Sequence, residues 1–336
     1  MADQGVAVST ATATAAAARR GRVRRAFRDV VLQLSIIVAM LAAFELILRI
    51  VDFRDLRDGY GRGSSLVHHY DAELGWLPIP NTVATFAGTR TISIQHNSLG
   101  LRDIEPERTE RPTVMFVGDS FVWGYDVEVD ERFTELLRAE LRDIEFVNAG
   151  VNGYGTDQEY LLLKRIWSGV RPDVVVLMFC VANDRDDNDS NRRYGGYYKP
   201  YLTQTADGTA RFSGQPVPRS RHSHFADDPL VKNLWLARLA VASYIHVRHP
   251  LINVPDPTER LVAMMRKFVE SRGAKFLVGL QYHDPKLSSF LQAQNIRYTS
   301  FDGADSFKVY DHWTPKGHAL VADRLKALLS EAGVVK

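Results

Sequence analysis

Four short segments of the sequence carry the residue types that an acyl-transfer reaction needs. Ser120 offers a hydroxyl that could attack an ester carbonyl, and His312 offers an imidazole that could take the hydroxyl proton. Gly153 ends a glycine-containing turn whose backbone N–H groups can face a developing oxyanion, and Asn183 adds a side-chain amide. Together they predict acyl transfer through a covalent acyl-serine.

Predicted strands deliver three of these residues to one edge of a sheet. Strands are predicted over 114–117, 145–148 and 174–179, of which the first and third are apolar runs, and each is followed by a turn that carries the serine, glycine or asparagine segment. Helical patterns lie between the runs, which predicts a doubly wound α/β fold with a mostly parallel sheet covered on both faces. Ligands bind at the carboxyl ends of such strands, so the three residues are expected to converge there.

In this order, the four segments resemble the signature blocks of the SGNH hydrolases, also called GDSL-type esterases. The resemblance implies a flavodoxin-like sandwich in which Ser120 is the nucleophile and His312 is the general base. It also implies an oxyanion hole made of the N–H groups of Ser120 and Gly153 and the side-chain amide of Asn183. One departure is Val181, which stands where the family usually has glycine in the third block.

The residue that orients His312 departs most from the family pattern. Members usually place an aspartate two or three residues before the histidine, and neither position holds an acid here. Asp311 is directly adjacent instead, and it reaches the ring only if the loop bends, because neighbouring side chains in an extended segment point to opposite faces. Asp311 is the predicted third member of the triad. The alternatives are Asp302, Asp305 and a backbone carbonyl.

The chain is predicted to divide into an anchor, an extension and a catalytic domain. An SGNH-type domain is expected over 111–336, with a loop insertion at about 185–228 that interrupts the alternation of strands and helices. Residues 52–110 are expected to form an extracytoplasmic extension. Within it, 97–103 resembles a segment that precedes the first block in membrane-anchored members, and the expectation for it is a packing role.

The N-terminus predicts where the enzyme works. Residues 1–28 read as a disordered, basic cytoplasmic tail, because an Ala/Thr-rich stretch runs into a cluster of arginines. Residues 29–51 are predicted to be a transmembrane signal anchor, since a helix over them spans roughly 30 Å and no small-residue cleavage site follows. The arginines should stay inside, which places the catalytic domain outside a bacterial inner or plasma membrane. Glu45 and Arg49 are predicted to pair near the outer interface.

The composition excludes other classes of protein. With 336 residues, 45% hydrophobic and 24% charged, the chain can bury a full core, and its net charge of +2 argues against a nucleic-acid partner. Cys180 is the single cysteine, so it forms no intrachain disulfide and is expected to be buried. His222 and His224 match no metal-ligand spacing, so neither a metal nor another cofactor is expected. His318 lies in the predicted closing helix and is expected to pack.

These observations predict a serine esterase that acts on O-acyl, and above all O-acetyl, groups of cell-envelope or secreted glycans. An O-acyltransferase using the same serine, with a membrane acyl-donor partner, is one alternative. A non-catalytic anchored binding protein is the other. The residues do not separate hydrolysis from transfer, because both pass through the same acyl-serine.

Overall fold

The computed structural model describes residues 4–57, 67–106, 109–194, 196–205 and 207–335. Contacts divide the chain into two compact units: one comprises Met1–Arg57 and Phe225–Tyr244, and the other comprises Asp58–His224 and Ile245–Lys336. The second unit contains every residue that the sequence predicts for the site.

The first unit is built on one long helix, α1 (Gln4–Val51). This helix continues through the stretch predicted to be a disordered tail, because alanine has the highest helix propensity and a helix nucleated in the apolar run propagates at little cost. Its part Arg19–Val51 is long and apolar enough to span a bilayer, and none of the most apolar stretch is buried against other parts of the protein. The predicted anchor, 29–51, lies wholly inside this part.

Two antiparallel hairpins follow in the second unit, β1–β2 and β3–β4. Their strands are β1 (His68–Asp71), β2 (Gly75–Pro78), β3 (Val83–Ala87) and β4 (Thr91–Gln95). Strand β4 alternates buried isoleucines with exposed polar residues, as its sequence predicts for a half-buried strand. Its two isoleucines pack against Phe86 and Trp123, so the second hairpin lies on the turn that carries Ser120.

The remaining helices and strands follow in chain order. They are β5 (Thr113–Gly118), α2 (Ser120–Trp123), α3 (Phe133–Glu140), β6 (Glu145–Gly150), α4 (Thr156–Val170), β7 (Val174–Phe179), α5 (Asp184–Asn188), β8 (Arg192–Arg193), β9 (Tyr197–Tyr198), β10 (Tyr201–Gln204), β11 (Ala210–Ser213), α6 (Arg221–Asp227), α7 (Pro229–Asn233), α8 (Trp235–Arg248), α9 (Thr258–Glu270), β12 (Lys275–Leu280), α10 (Pro285–Ala293), β13 (Tyr298–Ser300) and α11 (Pro315–Glu331).

Five of these strands form one parallel sheet in the order β13-β12-β7-β5-β6. One face packs against a core that includes apolar residues of α4, α9 and α10, and the other against apolar residues of α3 and α11. The doubly wound α/β fold predicted from the sequence is therefore confirmed. The chain leaves β5 to one side for β6 and then crosses to the other side for β7, so the topological switch point lies at the end of β5.

The predicted loop insertion, 185–228, contains more regular structure than its composition indicates. It includes most of α5, the short pair β8–β9, the hairpin β10–β11 and all of α6. The hairpin agrees with the one predicted near 205–212. A buried ion pair between Lys199 and Asp157 joins the insertion to α4.

Candidate active site

Ser120 lies at the switch point, where β5 gives way to the one-turn helix α2. The Asp119 carboxylate caps this helix by accepting the Phe121 N–H at 2.9 Å, and the left-handed Gly124 ends it, with φ of 84°. A residue with a side chain would be strained at Gly124. The turn is therefore short and rigid, and it holds Ser120 at the strand end.

Residues 97–103 of the extension form hydrogen bonds to this turn and to the neighbouring strand β6. Arg102 is fully buried, and its guanidinium donates to the carbonyls of Gly124 at 2.7 Å and Val127 at 2.9 Å while lying 4.6 Å from the centre of the Trp123 ring. Asp103 accepts the backbone N–H of Asn148 on β6 at 2.7 Å. The packing role expected for this segment agrees with these contacts, which fix both the nucleophile turn and the neighbouring strand.

The structure brings Ser120 and His312 together although 192 residues separate them in the chain. The distance from Ser120 Oγ to His312 Nε2 is 2.7 Å, which is hydrogen-bonding distance. His312 lies just before α11, whose first turn is capped by the Thr314 hydroxyl with Pro315 at the first helical position, as predicted. A serine and a base in this relation match the geometry of an activated nucleophile.

Aromatic rings hold the His312 side chain on two sides. The Tyr125 ring stacks on the imidazole with centroids 4.2 Å apart and planes 18° apart, and the Phe121 ring lies at 4.8 Å. Tyr310 packs against the edge of Tyr125 at 5.9 Å. Trp123, Tyr154 and Trp313 also flank the candidate site residues in the sequence, but they are core residues, and of these three and Tyr125 only Tyr125 stacks on the imidazole.

The structure does not bring the Asp311 carboxylate to His312. Tyr310 and Asp311 both adopt left-handed backbone conformations, with φ of 66° and 54°, and this double turn leaves the Asp311 side chain exposed. Asp302 instead accepts the His283 N–H at 3.0 Å, and Asp305 accepts the Thr314 hydroxyl at 2.7 Å. Among the described residues, His312 Nδ1 has no hydrogen-bond partner, and the Tyr310 carbonyl is the neighbouring group that opposes the lowering of the His312 pKa by burial.

Replacing Asp311 by asparagine should therefore leave kcat/KM for a short-chain aryl ester nearly unchanged. Replacing Tyr125 by leucine should lower kcat/KM about 10- to 100-fold, because the His312 imidazole loses the aromatic ring that stacks on it and holds it in line with Ser120. Parallel kinetics on both variants, with Asp302→Asn and Asp305→Asn as matched controls, make the comparison. A loss of about 10⁴-fold in Asp311→Asn would show that this carboxylate orients the base after all.

Burial sets the proton affinity of His312. The imidazole is half-buried among aromatic rings, and this burial lowers the pKa of His312 to about 4, against the small opposing effect of the Tyr310 carbonyl. A neutral imidazole is the form that can accept the serine proton, so His312 remains competent as a base well below neutral pH.

We expect kcat/KM for an uncharged ester to rise with pH through about 4 and to be level above that region. We expect kcat/KM to fall only at low pH, because His312 is protonated, and so lost as a base, only when the pH falls to its lowered pKa. A pH profile of the purified protein, corrected by a thermal-unfolding scan at each pH, measures it. An acid limb near pH 6.5, the ordinary histidine value, would contradict the buried, unassisted imidazole.

Three donors can face the oxyanion that forms when Ser120 attacks a carbonyl. Among the described residues, no acceptor pairs with the N–H of Ser120 or of Gly153. Burial raises the pKa of Asp119, and the Asn183 side chain, which follows β7, lies near enough to oppose that rise, which places it beside the turn that carries Ser120. The three donors predicted from the sequence therefore come from the carboxyl ends of β5, β6 and β7.

Position 153 needs a glycine because of its backbone conformation and because a neighbouring ring leaves no room for a side chain. Its φ is 75°, and a Cβ there would lie 2.6 Å from the ring of Tyr194, a residue of the insertion. The Arg193 guanidinium lies 4.4 Å from the centre of that ring. The insertion thus places the Tyr194 ring beside the proposed oxyanion hole. The composition of 185–228 did not predict this contact.

Several acidic side chains are buried close to Ser120 and Asn183. Burial raises the pKa of Asp119, and burial together with neighbouring carboxylates raises the pKa of Asp184 and Glu159 well above the ordinary values. The ligand atoms of Asp119, Cys180 and Asp184 lie within 4.8 Å of one another, a spacing that could hold a metal ion. However, Asp119 and Asp184 already accept backbone N–H groups, and the Cys180 thiol lies 3.3 Å from the Gln281 amide oxygen. One oxygen of each carboxylate is therefore hydrogen-bonded to a backbone N–H, while Asp184 Oδ1 has no partner among the described residues.

The arrangement can carry out a two-step acyl transfer. Ser120 Oγ bonds to the acyl carbon while its proton moves to His312 Nε2, and the N–H donors stabilise the oxyanion. The leaving alcohol then takes the proton from His312, which leaves an acyl-serine. Water, or another hydroxyl, repeats the two proton transfers in reverse and releases the acyl group.

The chain is similar to known proteins in sequence and in fold. A family model described as GDSL-like Lipase/Acylhydrolase matches residues 116–320. No curated protein matches the chain. Solved structures similar to this chain include a lipolytic protein of the G-D-S-L family from Desulfitobacterium hafniense DCB-2, with 14% identity over 65% of this chain and 100% of the other, and a TM-score of 0.37.

Two further solved structures are similar to this chain. A GDSL-like lipase from Bacteroides thetaiotaomicron VPI-5482 shows 10% identity over 68% of this chain and 93% of its own, with a TM-score of 0.40. A psychrotrophic esterase from Pseudoalteromonas sp. shows 14% identity over 66% of this chain and 97% of its own, with a TM-score of 0.35.

Proposed function

The chain belongs to the GDSL-like lipase/acylhydrolase family and is a carboxylic ester hydrolase, and we propose that it removes O-acyl, above all O-acetyl, groups from cell-envelope or secreted glycans. Ser120 is the proposed nucleophile and His312 the base. Ser120, Gly153 and Asn183 supply the oxyanion hole. The observation that carries the proposal is the hydrogen bond of 2.7 Å between Ser120 and His312 beside unpaired N–H donors.

The surroundings of the site offer aromatic side chains to a sugar-bearing substrate. Tyr194, beside Gly153, and Tyr310, beside Tyr125, are exposed and offer ring faces on which a sugar could stack.

The proposed location supports a glycan substrate. Helix α1 is long and apolar enough to be a single-pass anchor, and the arginines before its apolar stretch favour an orientation with the catalytic domain outside the inner or plasma membrane of a bacterium. An esterase held on that side of a membrane meets cell-envelope and secreted glycans, and the O-acyl groups of these glycans are the substrates that we propose.

A reporter enzyme that is active only outside the cytoplasm should be active when fused after Lys336 in a bacterial host. The same reporter fused after Arg28 should be silent, since the arginine cluster stays in the cytoplasm. Activity is measured in whole cells, with immunoblots to show equal amounts of fusion protein. The reverse pattern would refute the proposed orientation.

Incubation of the full-length protein in detergent with O-acetylated oligosaccharides tests the substrate and the reaction together. Release of acetate without an added acceptor supports the proposed hydrolase, whereas acetyl gain by an acceptor sugar, seen by mass spectrometry, supports the acyltransferase alternative. Ser120→Ala protein is the control for both readouts. Turnover of aryl esters without any action on acetylated sugars would reject the glycan assignment and leave the esterase activity standing.

A further inference from the structure

The polar residues inside the apolar part of α1 are contacted by a second segment of the same compact unit, Phe225–Tyr244. The Glu45 carboxylate accepts the backbone N–H groups of Trp235 at 3.0 Å and Leu236 at 2.8 Å, so it caps the first turn of α8. Arg49 pairs with Glu45 at 2.6 Å and also donates to the Asn233 carbonyl at 2.6 Å. The pairing of Glu45 and Arg49 predicted from the sequence is thus part of a larger junction.

A small apolar core completes this junction. Leu48, Leu56, Phe225 and Val231 are buried together. Arg238, which is 4% exposed, donates to the carbonyls of Leu56, Val231 and Lys232 at 2.9, 3.0 and 2.6 Å. The segment that holds α7 and the start of α8 is therefore folded onto the outer end of the proposed anchor and is not a free loop.

The same segment is apolar on almost every face. Residues 234–242 contain Arg238 as their one charged side chain, and Arg238 is turned inward. A helix that is apolar all round is stable either inside a protein core or in lipid, but here Leu230 is 66% exposed, Leu234 40% and Tyr244 65%. The aromatic residues Trp235 and Tyr244 bound the run, and such residues concentrate at membrane–water interfaces.

We propose that residues 229–244 form an interfacial membrane element that lies in the headgroup region of the outer leaflet beside α1. The inference rests on the proposed membrane anchor. Continuity identifies the partner as a phospholipid bilayer, because the element packs on the last turns of a helix whose exposed apolar surface itself requires lipid. In this position, Glu45 and Arg49 meet protein partners at the interface and are not left unpaired in hydrocarbon.

Spin labelling of the full-length protein tests the proposal. Leu234→Cys and Tyr244→Cys carry the label in the element, Ile37→Cys carries it in the middle of α1, and Val83→Cys carries it at an exposed apolar position of the hairpin β3–β4. The native Cys180 is buried, so the wild-type chain serves as the labelling blank. The variants are reconstituted in vesicles of phosphatidylethanolamine and phosphatidylglycerol, and collisions of each label with oxygen and with a water-soluble nickel chelate are compared.

The ratio of oxygen to nickel collisions at positions 234 and 244 should lie several-fold above that at 83 and below that at 37. If the collision ratios at positions 234 and 244 equal that at position 83, while the ratio at position 37 is that of a label in lipid, the interfacial element is overturned and the anchor stays in place. Aqueous values at all four positions would overturn both. The esterase assignment is separate from either outcome and is measured on the same samples with an aryl ester.

Discussion

Replacing Ser120 by alanine should lower kcat for a short-chain aryl ester by about 10⁴- to 10⁶-fold. The hydroxyl is the atom that bonds to the acyl carbon, so its loss removes the covalent route and leaves only the stabilisation that the N–H donors give to direct attack by water. KM should change little, because the change removes one oxygen from a buried position. Steady-state kinetics measure both constants.

Ser190→Ala is a matched control for this change. Ser190 is also buried, and its hydroxyl accepts the Arg192 N–H at 3.2 Å, but it lies in the insertion and makes no contact with His312. Its variant should keep wild-type kcat. Equal losses in the two variants would mean that damage to the fold, and not the missing nucleophile, explains the result in Ser120→Ala.

His312→Ala should lower kcat by a similar amount, because a serine without its base is a poor nucleophile at neutral pH. The two losses should not add: the double variant should be about as active as either single one, since nucleophile and base act as one unit. The three variants are compared with wild type at one pH above 6, where the imidazole is neutral. Additive losses would show that the two residues act in separate steps.

His318 provides the control for the histidine change. It lies in α11, is 1% exposed, stacks on Phe133 with centroids 5.9 Å apart, and its Nδ1 accepts the Phe133 N–H at 3.3 Å. His318→Gln should lower the unfolding temperature and leave kcat of the folded protein nearly unchanged. A large loss of kcat in this variant would place the base elsewhere.

Local sequence signals were enough to predict the parallel sheet and three of its strand ends. Apolar runs of strand length that stop at Gly118, Gly150 and Phe179 put the following turns at one edge, and this depends only on side-chain pattern and turn residues. The Thr314 cap is an equally local signal, and it predicted that His312 lies directly before a helix. Features of this kind need no knowledge of distant contacts.

The parts that the sequence did not predict depend on long-range packing or on unusual backbone. The position of Asp311 follows from two successive left-handed residues, neither of them glycine, and no residue preference indicates such a pair. Arg102 braces the nucleophile turn through carbonyls more than twenty positions away, and Tyr194 reaches Gly153 from an insertion of loop-like composition. Tyr125 was visible as an aromatic near the site, but its stacking on His312 required the fold.

Covalent labelling tests the central claim most directly. The wild-type protein is treated with an alkyl fluorophosphonate, which reacts with activated serines, and the modified peptide is identified by mass spectrometry alongside Ser120→Ala and His312→Ala proteins. One adduct per chain on Ser120 is expected in the wild type, with none in Ser120→Ala and a much slower reaction in His312→Ala. An adduct on another serine, or labelling of Ser120→Ala at the wild-type rate, would contradict the proposal that Ser120 and His312 are the catalytic pair.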